Sequence, residues 1–302
     1  MNKKLFIWLG IAVFLIIFVI STIYDLQISY LIADLKSGEY YSSNAFAVIF
    51  EIIGESPLYL FLAFAFVIIF WWLFYNVKNK RLLNFLYLPL ASVAIFLSFY
   101  FMVARILKYL EIHQTFALNQ YFLILSLFLS LIFTILTIFS LKFVKQENIE
   151  KLLSFAFLIL FVAAFSNLIT QFIKGNIFGR MRFQAMNQLE DFSYFTPWFY
   201  INGTSLYENL SGLGFSVDAF KSFPSGHTTA VGISFTLICL PLIFEKLNNK
   251  KSKLFYWIIP FIIVFVVGFS RIVAGAHFST DVLMAMLITF SLTILGKYLF
   301  IK

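Results

Sequence analysis

Only three histidines occur in the 302 residues, and two of them stand in segments where serine, glycine, arginine and aspartate crowd together. His227 closes Ser222-Phe223-Pro224-Ser225-Gly226-His227, directly before an apolar run. His277 lies in Ser270-Arg271-Ile272-Val273-Ala274-Gly275-Ala276-His277-Phe278-Ser279-Thr280-Asp281, between two such runs. A third charged segment, Lys174-Gly175-Asn176-Ile177-Phe178-Gly179-Arg180-Met181-Arg182, follows another. Ionisable side chains at a membrane edge are costly, so they are the first place to seek function. Together they suit an anionic, phosphate-like group. A Ser225-Gly226 turn opening a helix offers backbone N–H groups and the positive end of the helix dipole. Lys174, Arg182 and Arg271 bring positive charge to phosphoryl oxygens, arginine in bidentate geometry. Asp281 is four residues beyond His277; if that stretch is helical the two share a face, and the carboxylate holds one ring nitrogen protonated while the other attacks. His227 then protonates the leaving group. No His, Cys or carboxylate cluster has metal-ligand spacing, so no metal or other cofactor is expected.

These segments need a scaffold, and the composition dictates which kind. Hydrophobic residues make up 62% of the chain, charged residues 12%, and the mean hydropathy is +0.94. Soluble domains are nearer half apolar and a quarter charged, so a soluble fold is excluded and disorder with it. The lone cysteine, Cys239, excludes a disulfide scaffold. Roughly 20 apolar residues in helix cross a bilayer core. The uncharged runs predict eight spans: Leu5–Tyr24, Pro57–Val77, Leu82–Ala104, Gln114–Leu141, Leu152–Ile173, Thr228–Phe244, Leu254–Ser270 and Val282–Gly296. The last three are short, and Lys246, Lys253 and Lys297 extend them by snorkelling. The first run follows Met1-Asn2-Lys3-Lys4 but is too long for a cleaved signal peptide, and is expected to remain as a span. Ala45–Ile53 is too short to cross and is expected to be an interfacial helix or packed loop. The expectation is an all-α, polytopic transmembrane helix bundle: residues 1–145 carry spans without chemical signatures, 146–302 the motif-bearing spans, in one integrated membrane domain.

Charge gives the orientation. With eight crossings both termini share a face, which holds 14 of the 22 basic residues against three of the 14 acidic ones. The positive-inside rule puts the termini in the cytoplasm and the charged motifs on the external face of a cell membrane. The net charge of +8 is thus a topology signal; nucleic acid is not an expected partner, and oligomeric state is not readable.

Pro-Ser-Gly-His at 224–227 and Ser-Arg-x5-His-x3-Asp at 270–281 resemble, in order and in placement at helix ends, the type 2 phosphatidic acid phosphatase superfamily. Its relatives include glucose-6-phosphatase and the vanadium haloperoxidases. The resemblance covers roughly residues 150–302 and implies a six-helix phosphatase-type core. The family's first signature, Lys-x6-Arg-Pro, is altered: seven residues separate Lys174 from Arg182, and Phe183 stands in the proline position. The resemblance implies His277 as the nucleophile that forms a phosphohistidine, Asp281 as the residue orienting it and His227 as the general acid. Lys174, Arg182, Ser225, Gly226 and Arg271 then bind the phosphoryl group, with Arg180 as substitute for Arg182. The expected function is hydrolysis of a phosphate monoester or pyrophosphate on a lipid, with phosphatidate, phosphatidylglycerophosphate and undecaprenyl pyrophosphate as candidate substrates. The rival readings are a lipid phosphotransferase on the same scaffold, or an inactive membrane binding or transport protein.

Other features have plainer readings. His113 reads as an ordinary loop histidine, and Arg105 and Lys108 as helix-end anchors. The aromatic loop from Phe183 to Phe220 reads as an interfacial belt, or as a wall or lid above the site.

Overall fold

The computed structural model describes residues 3–113, 121–140, 142 and 144–301. Among them the regular structure is helical throughout, with no strand. Among the described residues, eight helices are long and apolar enough to cross a membrane: Trp8–Ile32, Ala45–Asn76, Lys80–Ile112, Phe122–Ser140, Gln146–Leu189, Gly226–Ile243, Lys250–Val273 and Ser279–Phe300. The chain is a multi-pass, all-α membrane protein. Residues 114–120 and 141 of the expected fourth span lie outside the described residues.

Three local features depart from the reading of apolar runs. The first helix continues past Tyr24 to Ile32, with non-helical backbone at Tyr24 (φ −112°, ψ 20°) and Asp25 inside it. The Ala45–Ile53 helix, which Asn44 caps by accepting from Phe46 N at 2.9 Å, leads through a short break into Ser56–Asn76 and shares its span. The sixth span is shortest at 18 residues, and its segment Ile233–Cys239 is wound as a 3₁₀ helix. A 3₁₀ turn rises about 2.0 Å per residue against 1.5 Å, so this helix reaches about 30 Å, a bilayer core.

The chain divides into two compact units. One comprises Glu51–Asn167, Thr229–Val266 and Ile288–Lys302. Its core is apolar, with Ile68, Ile95, Phe155 and Ile159 buried. Ser126, Ser130 and Thr134 are buried too, and each hydroxyl donates to the carbonyl four residues back. That satisfies them within their own helix, which lipid surroundings require. Close approach replaces side-chain bulk at Gly232, where a Cβ would come within 2.4 Å of Thr289 Oγ1.

The other unit comprises Met1–Phe50, Leu168–Thr228 and Val267–Leu287, and contains all the motif residues. Its core gathers Met181, Phe183, Met186, Phe220 and Phe278, with Phe192, Tyr194 and Phe195 packed against them. Those three aromatics of the 183–220 loop therefore line the interior of this unit, while Phe199 and Tyr200 are exposed.

Candidate active site

His277 is presented by the way one helix ends and the next begins. The seventh span stops in a Schellman turn: Gly275, at φ +66°, donates to Ile272 O, and Ala276 donates to Arg271 O at 3.1 Å. The left-handed backbone there explains a glycine two residues before the histidine. The eighth span starts at Ser279, and Asp281 in its first turn accepts from Phe278 N at 2.8 Å, closing that end as a cap. His277 thus sits in the turn and does not share a helical face with Asp281. The two meet nonetheless, with Nδ1 3.6 Å from Asp281 Oδ2. The shorter contact is elsewhere: His277 Nδ1 lies 2.7 Å from the Ser222 carbonyl. A carbonyl only accepts, so Nδ1 carries the proton and Nε2 keeps its lone pair. Asp281 reaches the ring through its neighbour, accepting from Ser222 Oγ at 2.5 Å.

The imidazole is buried, 2% exposed. Burial holds its pKa well below the ordinary value of 6.5, and the charges of Lys174, Arg182 and Arg271 push it further down. At neutral pH the ring is therefore uncharged and faced by three cations. A neutral imidazole surrounded by positive charge suits an anionic ligand.

The sixth span begins at Gly226, with Ser225 as its cap: Ser225 Oγ accepts from Thr228 Oγ1 at 2.9 Å and Thr228 N at 3.4 Å. The Ser225 backbone N–H is used by Asp281 O at 3.1 Å. The Gly226 amide is one that a helix start leaves without an intrahelical acceptor. Lys174 is buried beside it; a Cβ on Gly226 would lie 3.4 Å from Lys174 Nζ.

Local backbone accounts for both departures in the first segment. Lys174–Phe178 is a π-helical turn, ended by Gly179 at φ +52°. A π turn takes one more residue than an α turn, which fits seven residues between Lys174 and Arg182 where the pattern has six. Phe183 is the first residue of the helix Phe183–Leu189, the position at which proline is favoured. Arg182, partly buried, has its Nε without a hydrogen-bond partner.

Arg180 is placed differently from Arg182. Proposed as a substitute phosphate ligand, it is 1% exposed and committed to protein groups. Nε donates to Thr196 O at 2.8 Å, Nη1 to Asp281 Oδ1 at 2.6 Å and Thr280 Oγ1 at 3.0 Å, and Nη2 to Asp25 Oδ2 at 2.8 Å. Its guanidinium also lies 3.9 Å from the Phe278 ring centroid. It fastens the site, giving four of its five N–H groups to protein acceptors. Asp25, the partner in the first helix, was not among the sequence candidates; its only signal was a charge inside an otherwise apolar stretch.

Main-chain bonds tie the segments to one another: Arg182 N to Ala219 O, Gln184 N to Gly275 O, Ser222 N to Arg180 O, and Ser225 N to Asp281 O. This geometry accompanies a sequence match: the family model described as the PAP2 superfamily covers residues 152–302, half of the chain. The chain belongs to the PAP2 superfamily. Its PAP2 region holds Lys174, Arg182, Ser225, Gly226, His227, Arg271, His277 and Asp281, all in one structural unit. With eight membrane-length helices, this PAP2 protein is a membrane protein of phosphatase type. No curated protein and no solved structure matches the chain.

Proposed function

We propose that this protein is an integral membrane lipid phosphatase that hydrolyses a phosphate monoester or pyrophosphate through a phosphohistidine on His277. The observation that carries the reading is the state of that histidine: buried, uncharged, protonated on Nδ1, and faced by Lys174, Arg182 and Arg271. Nε2 attacks phosphorus, an N–P bond forms, and the P–O bond to the lipid breaks. The leaving oxygen takes a proton from His227. Water then attacks phosphorus, His227 takes back a proton, and the N–P bond breaks to release phosphate and restore the Nε2 lone pair.

The three cations and the Gly226 amide meet the phosphoryl oxygens, and the Ser225 hydroxyl adds a donor. These groups answer the charge that develops in the transition state, so the reaction needs no metal. Asp281 and the Ser222 carbonyl stabilise the ring as it becomes positive. The excess of basic residues on the termini's face supports cytoplasmic termini and an external site.

The test is phosphate release in mixed micelles with chelator present. Phosphatidate, phosphatidylglycerophosphate and undecaprenyl pyrophosphate are offered in turn, beside a His277→Gln control. Chelator-resistant release lost in the control is expected, and the relative rates name the lipid. Release that persists in the folded variant defeats the mechanism; transfer of the phosphoryl group to a lipid alcohol, with none to water, makes the protein a transferase.

A further inference from the structure

We infer that Asp25 of the first helix is a positioning residue for the phosphohistidine site, acting on His277 through Arg180 and Asp281. The inference rests on the phosphatase reading and adds to it a residue outside 152–302, the portion that matches the family.

Asp25 is 2% exposed within a membrane-length helix, where an unpartnered carboxylate is severely disfavoured. Its partners explain its presence. Oδ1 accepts from Ser279 Oγ at 2.7 Å and Thr280 N at 3.1 Å, and Oδ2 accepts from Arg180 Nη2 and Thr280 Oγ1. The carboxylate therefore caps the start of the eighth span from outside, while Asp281 caps it from within. Two carboxylates share one guanidinium, since Arg180 Nη1 holds Asp281 Oδ1. The other oxygen of Asp281 takes the Ser222 hydroxyl, and the Ser222 carbonyl takes His277 Nδ1. An unbroken hydrogen-bonded line thus runs from Asp25 to the nucleophile's ring. The backbone breaks from helix at Tyr24, immediately before the residue that begins the line.

The line fixes where Asp281 and Ser222 stand, and Ser222 fixes which ring nitrogen bears the proton. Asp25→Asn keeps the shape and removes the charge. Arg180 then keeps Asp281 as its one ionic partner and its pull on that carboxylate is unbalanced, so the ring loses its single tautomer. Asp25 touches none of the phosphoryl-binding groups, so the loss falls on kcat and not on KM.

The chain has three histidines, which makes the measurement tractable. Nitrogen-15 spectra of histidine-labelled protein in detergent, assigned with His113→Gln and His277→Gln, report the tautomer of His277 directly. Wild type is expected to show one neutral Nδ1–H form. Asp25→Asn is expected to show mixed tautomers and a kcat about 10- to 100-fold lower, the scale typical of residues that orient a reactive group, with KM within about threefold. Ser222→Ala removes only the last hydroxyl of the line and is expected to shift the same signals, which keeps the question open to test if Asp25→Asn does not fold. Unchanged spectra and kcat in folded Asp25→Asn overturn the inference. So does a lowered melting temperature with kcat intact, which marks Asp25 as structural only. Absence of turnover in wild type defeats the phosphatase reading instead, and the spectra then decide the positioning role by themselves.

Discussion

The two arginines flanking Met181 differ so sharply in their surroundings that their substitution must give opposite results. Arg180→Gln withdraws a cation from between Asp25 and Asp281, which are 2% and 0% exposed. Breaking a buried ion pair by removing one partner costs about 3–5 kcal/mol, because the surviving charge stays buried. At about 2 °C per kcal/mol for a chain of this size, the melting temperature should fall by about 6–10 °C. Arg182→Gln removes a side chain whose Nε has no hydrogen-bond partner, so stability should change by less than about 1 kcal/mol. Under the proposed mechanism its cost is catalytic: loss of one donor to a developing oxyanion should lower kcat about 10²–10³-fold. Orthovanadate, a phosphate mimic, supplies an assay independent of turnover. At 100 times its dissociation constant a ligand stabilises by about 2.7 kcal/mol, or about 5 °C here. Tryptophan-monitored melting in detergent should show that shift in wild type and its loss in Arg182→Gln. Equal destabilisation by both substitutions, or a full vanadate shift in Arg182→Gln, refutes this division of labour.

Two further outcomes follow from the site. Burial and three cations hold the His277 pKa below 6.5, so the reactive neutral ring persists into acid and the acidic limb of kcat/KM should lie below pH 6.5. Removing one of those cations, as in Arg271→Gln, raises that pKa and should carry the limb towards neutrality; a limb that stays put or moves lower contradicts the assignment. Gly179→Ala places a side chain at φ +52°, about 1–2 kcal/mol unfavourable, with its Cβ 2.0 Å from Gly203 O. It should melt several degrees lower and respond less to vanadate, whereas wild-type melting would show that the 202–203 backbone yields freely.

The spans were legible because bilayer thickness imposes a length on apolar runs, and that constraint acts on sequence directly. Where it failed, the structure shows a compensation at a distance. The reading ended the first span at Tyr24 because Asp25 is charged, yet the helix continues since Arg180, 155 residues away, neutralises it. The shortness of the sixth span was legible, but its 3₁₀ winding was not, because propensity barely separates the two helices. Within the site the residue types and spacing pointed to phosphate chemistry, and the structure gathers those residues in one unit. Spacing alone did not separate Arg180 from Arg182: both are arginines flanking Met181, and their partners differ. It also tied Asp281 to His277 by helical periodicity, where a Schellman turn and a cap bring them together.

The main-chain ties between the motif segments also set which substitutions this region tolerates. A backbone amide serves any residue that possesses one, so those ties are blind to side-chain identity and leave surrounding positions open to drift. One residue type they do not tolerate. Proline at 182, 184, 222 or 225 deletes the donor of a tie between segments. At 183, the first residue of its helix, the backbone accepts proline, although the buried Phe183 ring would be lost from the core. The unit thus carries a proline map in which permitted slots alternate with forbidden ones: proline fills the slot at 224, between 222 and 225, and phenylalanine the one at 183.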